Sequence, residues 1–140
     1  MISYSNGQAL NAYNAVSTRT RIESASPHRL IGLLLDGALE KIAVAKGHIQ
    51  REDIAAKAQA IGRAISIIDG LRLSLDHSVK NDITDNLDEL YSYMERRLMF
   101  ANLKSDVSIL DEVSDLLREL HEAWTAIADQ ESKPSVAAVE

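Results

Sequence analysis

The sequence predicts an all-α protein, an antiparallel up-down-up-down four-helix bundle with a mobile N-terminal arm. Three observations carry this. Four stretches of the chain repeat apolar residues at alternating steps of three and four. Runs rich in Val, Thr and aromatics, which would form strands, are missing, and Gly and Pro are scarce at six and two. The connections between the periodic stretches are short, so consecutive helices must run antiparallel. The expected organisation is an arm over 1–25, a bundle domain over 26–129 and a disordered tail over 130–140.

The arm mixes Ser, Asn, Gly and Thr with spaced apolar residues (Ile2, Tyr4, Leu10, Tyr13, Val16). It is too polar for a core helix and too apolar for a plain linker, which suits a segment that docks on the domain or on a partner. Ser26-Pro27 opens the first helix, with Ser26 as N-cap and Pro27 in the first turn. Its face is Leu30, Leu34, Ala38, Ile42, Ala45 and Ile49, and Ile31, Leu33, Leu35 and Leu39 make the early turns apolar nearly all round. Gly37 inside this helix is read as a point of close helix approach.

A turn at Gln50–Asp53, capped by Asp53, leads into the second helix, whose seam is Ile54, Ala58, Ile61, Ile65, Ile68 and Leu75, widened by Ala64 and Leu71. The polar stretch DHSVKND ends it, and Asn81 or Asp82 caps the third helix. The third seam is Ile83, Leu87, Leu90, Met94, Leu98 and Ala101, with Asn102 at the left-handed C-terminal position. After LKSD the fourth helix runs on Leu110, Val113, Leu117, Leu120, Trp124 and Ile127.

Composition narrows the function. A net charge of -6 with no basic block argues against duplex nucleic acid as a partner. The N-terminus lacks the pattern of a secretory signal, and no stretch reaches the ~20 apolar residues that span a bilayer. The reading is a cytoplasmic protein without stable membrane insertion. The chain has no cysteine, which removes thiolate metal sites. A di-iron bundle needs Glu three residues before His, but His28, His48, His77 and His121 follow Ala25, Ala45, Ser74 and Arg118 at that spacing. Asp36 has no partner base, and no triad, phosphate-cradling loop or zinc-protease motif occurs. No metal, cofactor or catalytic site is expected, and the chain reads as no enzyme. His48, near Lys46, Gly47 and Arg51, leaves a histidine phosphotransfer module as one alternative. A self-assembling structural bundle, with a homodimer interface, is the other.

Apolar residues exceed what four seams need. Met99 and Leu73 lie opposite their helices' seams, and Ile67, Phe100 and Leu103 fall on flanks. Together with Ile31 and Leu35 they suggest partner-binding grooves.

These residues sit in segments that give the chain a family likeness. The arm's Asn11–Tyr13, SASPHRLI, LLLDGA, ISIIDGLRLSLD, NLDELYSYMERRLMFAN and the helix-four pattern ending in Trp124 follow one another in order and spacing. On these segments, from about Ser5 to Trp124, the chain resembles the flagellar secretion chaperone FliS family. The resemblance implies a cytosolic four-helix chaperone that binds the disordered C-terminal region of flagellin by coupled folding, keeps it from polymerising, and presents it to the flagellar type III export gate. The apolar surplus then reads as cargo grooves at Ile31, Leu35, Ile67, Leu71, Met99, Phe100 and Leu103, and the resemblance implies export-gate contacts at Leu10 and Tyr13. It gives Tyr91 and Arg97 structural roles, and leaves room for an anti-sigma factor or another flagellar regulator as a competing partner. Two departures stand out. Leu35 replaces the usual aromatic before Asp-Gly, and HSVKND replaces a Gly pair between helices two and three.

Overall fold

The computed structural model describes residues 26–132, with side chains through Ile127. It holds four helices: α1 (Pro27–Gln50), α2 (Ile54–Leu73), α3 (Asp82–Lys104) and α4 (Val107–Ser132). α1 packs on α2 and α4, and α3 packs on α2 and α4, which closes an antiparallel up-down-up-down bundle. The arm, with Leu10 and Tyr13, lies outside the described residues. α4 continues to Ser132, so the helical chain runs past the expected limit at 129.

The helix starts follow the sequence. Ser26 Oγ accepts from the Arg29 amide at 3.1 Å, Asp53 Oδ1 from Ala56 at 3.1 Å, and Asn81 Oδ1 from Thr84 at 2.8 Å. Each satisfies an amide that the first turn leaves without an intrahelical acceptor. At the end of α3 the left-handed residue is Ser105 (φ 52°, ψ 48°), three positions beyond Asn102, which remains helical. Lys57 accounts for the longer helix: its Nζ donates to the Asn102 carbonyl at 2.8 Å and to Ser105 Oγ at 2.9 Å. A cation at the negative end of the helix dipole thus satisfies one of the last free carbonyls.

The core is built from Leu34, Leu35, Ala38, Ile42 and Ala45 on α1, Ala60, Ile61, Ala64, Ile67, Ile68 and Leu71 on α2, Tyr91, Met94, Leu98 and Ala101 on α3, and Ile109, Leu110, Val113 and Leu117 on α4. In α2 this stripe is turned by roughly 80° on a helical wheel from the predicted seam. Ile54 is exposed, while Ala58 and Ile65 are only half-buried. The cause is that α2 contacts both α1 and α3, so the buried arc is wide and centred between its two neighbours. Ile83 and Ile127, at the outer ends of their seams, are exposed because the bundle has run out of neighbours there among the described residues.

Candidate functional site: a terminal cleft and an apolar ridge

The two ends of the bundle differ. At the end where α1 begins and α4 approaches its finish, His28 and Trp124 clasp each other. Trp124 Nε1 donates to the His28 carbonyl at 2.8 Å, and His28 Nε2 lies 3.0 Å from the Trp124 carbonyl and so donates to it. Their rings stack with centroids 4.2 Å apart at 12°. The clasp forms one wall of a cleft of about 710 Å³, whose apolar lining is Leu30, Ile31, Leu75, Leu87, Tyr91 and Trp124. Burial pushes the Tyr91 hydroxyl up to about 12, so it stays neutral at physiological pH. Ser74 and Leu75 follow the last turn of α2 and fold back on it, their amides bonding to the carbonyls of Gly70, Leu71 and Arg72.

At the opposite end α3 carries an outward ridge. Met99, Phe100 and Leu103 are 58%, 43% and 76% exposed, whereas Leu98 and Ala101 between them are fully buried and fix the helix against the core. The Arg97 guanidinium and the Lys104 ammonium each lie 5.8 Å from the Phe100 ring centroid. Arg97 Nε donates to Glu112 Oε1 at 2.9 Å, and the Tyr93 hydroxyl donates to the other oxygen of the same carboxylate. These two donors, the tyrosine hydroxyl first, hold the Glu112 carboxyl below its ordinary range. The network ties α3 to α4 beside the ridge.

A polar strip joins α2 and α3 between the two ends. Arg72 Nε meets Asp88 Oδ1 at 2.6 Å. Next to it Glu95 is half-buried, with Oε2 enclosed and without a hydrogen-bond partner. Burial, reinforced by the charge of Asp69 and a hydrogen bond with it, pushes the Glu95 carboxyl up to about 7 against the opposing pull of Arg72. On the other side of the bundle, α1 meets α4 through Asp36–His121 at 2.9 Å and Lys46–Asp111 at 2.5 Å.

The structure sorts the predicted groove residues into three sets. Ile31 lines the cleft, and Met99, Phe100 and Leu103 form the ridge. Leu35, Ile67 and Leu71 are 0%, 3% and 1% exposed, which places them in the core and corrects their reading as groove residues. For Ile67 the reason is the rotation of α2; Leu71 keeps the place in the widened seam that the apolar pattern gives it. For Leu35 it is the wide buried arc of α1, which packs between α2 and α4. Tyr91 and Arg97 have the structural roles expected of them, one packed at the helix interface and the other bonded to a carboxylate. Leu30, Leu75, Leu87 and Trp124 were read only as seam. A signal was available, because Leu30 and Leu75 end their apolar stripes and Leu87 and Trp124 stand one step in from the ends, where the connecting loop HSVKND offers little apolar cover.

His48 lies in the last turn of α1, and its Nδ1 accepts from Arg51 Nη2 at 3.1 Å, since a guanidinium can only donate. Among the described residues no cluster of three or more His, Asp and Glu side chains could hold a metal ion.

The profile of the family described as "Flagellar protein FliS" matches residues 9–131. The flagellar secretion chaperone FliSB of Pseudomonas aeruginosa is 46% identical over 121 residues, covering 86% of this chain and 96% of that protein. The flagellar secretion chaperone FliS of Salmonella typhimurium is 43% identical over 124 residues, with 88% and 92% covered. The FliS of Bacillus subtilis is 29% identical over 123 residues, with 88% and 90% covered. With a match along nearly the whole chain and a four-helix bundle to carry it, the protein belongs to the FliS family, the flagellar secretion chaperones, and is not an enzyme.

Proposed function

We propose that this chaperone binds the C-terminal region of flagellin in the cytoplasm, prevents its premature polymerisation, and delivers it to the flagellar export gate. The observation that carries the reading is the apolar surface left over once the core is complete. The ridge of Met99, Phe100 and Leu103 and the cleft that includes Ile31 lie on a bundle whose interior is already filled by other residues. Singly exposed apolar residues are ordinary, but three adjacent on one helix face, plus an apolar cleft, are suited to a partner.

Cleft and ridge are spread over about 24 Å, from Leu87 to Leu103 along α3, at 1.5 Å per residue. A compact ligand cannot touch both, whereas an extended or partly helical segment can wrap from one to the other. Ordering such a segment costs about 2–5 kcal/mol, so more than one apolar site is needed to hold it. Leu10 and Tyr13 are assigned to the export gate in this reading, which leaves them free of the cargo contacts. No helix among the described residues is long and apolar enough to cross a membrane, in keeping with a cytoplasmic site of action.

The test is titration of a flagellin C-terminal peptide into the protein, followed by calorimetry and circular dichroism. Saturable binding with a gain of helicity is expected; neither binding nor helicity would overturn the proposal. Tyr13→Ala should leave peptide affinity within about twofold and impair delivery. An anti-sigma factor, another flagellar regulator or a second copy of the chain that uses the same apolar surface should compete with the peptide in the same assay.

A further inference from the structure

The ridge has a charge pattern opposite in sign to that of the chain as a whole. Over the whole chain acids outnumber bases and the net charge is -6, yet residues 96–104 contain Arg96, Arg97 and Lys104 and no acid. Arg96, Met99, Phe100, Leu103 and Lys104 are all exposed. Their spacing of three, four, seven and eight residues puts them on one stripe about 12 Å long, two helical turns of α3. Arg97 is engaged by Glu112 and held over the edge of the stripe. Arg96 donates to Ser92 Oγ at 2.8 Å, and Lys104 rests over the Phe100 ring. Among the described residues neither Arg96 nor Lys104 has a carboxylate partner.

We infer that this stripe selects, within the cargo, an amphipathic helix whose apolar residues are flanked by acidic ones, with Arg96 and Lys104 as the residues that set the preference. The inference rests on the cargo reading above and adds its electrostatic class. A segment that covers Met99, Phe100 and Leu103 must partly desolvate the two cations beside them. That is unfavourable unless a carboxylate meets each one. A cationic or neutral segment of equal hydrophobicity would leave them uncompensated, so the same contacts that attract an acidic helix reject the alternatives. The helical form follows from the stripe itself. A line of apolar side chains on a helix surface is matched by another line spaced at i, i+3 or i+4, and i+7. Because both cations are exposed, their contribution is screened by salt.

The experiment uses the full chain and peptides from the flagellin C-terminal region. The double variant Arg96→Glu/Lys104→Glu should keep the far-UV circular dichroism of the parent and melt a few degrees lower at most, since both side chains stand in solvent and the only cost is a carboxylate in the last turn of α3. It should bind the native peptide on the order of tenfold more weakly, and should lose the decline in affinity that the parent shows between 50 and 500 mM salt. The neutral pair Arg96→Gln/Lys104→Gln should give a smaller loss in the same direction. A peptide with its acidic residues replaced by lysine should bind the parent weakly and recover affinity on the Glu/Glu variant. Unchanged peptide affinity and salt dependence in both variants would overturn the inference while leaving the cargo reading intact. So would a preference of the parent for phosphatidylglycerol vesicles over the acidic peptide. If the parent binds no flagellin peptide at any salt, the cargo reading falls, and the electrostatic preference falls with it.

Discussion

The two ends of this bundle expose apolar surface for opposite reasons. At the cleft end the helices stop before they can cover one another, and a recess is left between α1, α3, α4 and the residues that follow α2. At the ridge end α3 is packed on its inner face, and its outer face carries apolar residues that no neighbour requires. The first is concave, mostly apolar with the single carboxylate of Asp76 in its lining, and held by the His28–Trp124 clasp. The second is convex, flanked by cations, and held by Lys57 beneath and by the Tyr93–Glu112–Arg97 network beside it. A recess recognises apolar bulk of many kinds, whereas a cation-flanked stripe recognises spacing and charge. A single cargo segment that spans both would be gripped at one end and read at the other.

The sharpest way to break this comparison is to mistake core for surface. Leu35→Asp or Leu71→Asp buries an unpaired carboxylate and should destabilise by more than about 4 kcal/mol, enough to lose the helical signal at 25 °C. Leu103→Asp should leave the melting temperature within a few degrees and still abolish most peptide binding. Equal folding of all three variants would erase the distinction between filled interior and spare surface.

Next in size is the clasp. Trp124→Ala removes a half-buried ring, its stack on His28 and a hydrogen bond, and should cost about 3 kcal/mol in urea denaturation. Trp124→Phe keeps the ring and loses the N–H donor, so a loss nearer 1 kcal/mol is expected. At the ridge end Lys57→Met keeps the buried stem but leaves the Asn102 carbonyl without its donor. It should cost about 1–2 kcal/mol and fray the last turn of α3, visible as faster amide exchange at 102–105. Fraying there should also weaken peptide binding to the ridge without affecting contacts at the cleft.

The smallest effect concerns pH. Glu95 has a folded-state pKa of about 7, above its unfolded value near 4.5, so the folded state holds the proton more tightly. Stability from this group is full below about pH 4.5 and is lost as pH rises through 7. Glu112 acts in reverse, because its carboxyl is held below its ordinary range and its contribution disappears as pH falls through that range. The melting temperature should therefore be higher at pH 5.5 than at pH 8 by a few degrees. Glu95→Gln should flatten that slope; an unchanged slope would show that α2 and α3 do not share a proton at this seam.

Much of the fold was legible because its signals are local. Caps at Ser26, Asp53 and Asn81 depend on one side chain and an amide three residues on, so sequence alone locates the first two and narrows the third to Asn81 or Asp82. Helix ends were harder. The left-handed end of α3 moved from Asn102 to Ser105 because Lys57, 45 residues before Asn102, supplies a donor that no local rule contains. The same distinction governs the site. Met99 could be placed on the outside from the periodicity of α3 alone, whereas Phe100 and Leu103 fell on flanks, as Ile67 did. Ile67 could not be placed in the core, since that depends on how far α2 is turned between α1 and α3.

The sequence by itself determined the helices, their starts, their antiparallel order and the family. Each follows from periodicity, capping chemistry or residues in fixed succession. The tertiary structure decided which of the apolar residues on the flanks are surplus. Burial is a property of neighbours, and an apolar side chain is spare only when the helices beside it have finished filling the core. That is why the same hydrophobicity makes Leu71 interior and Leu103 surface.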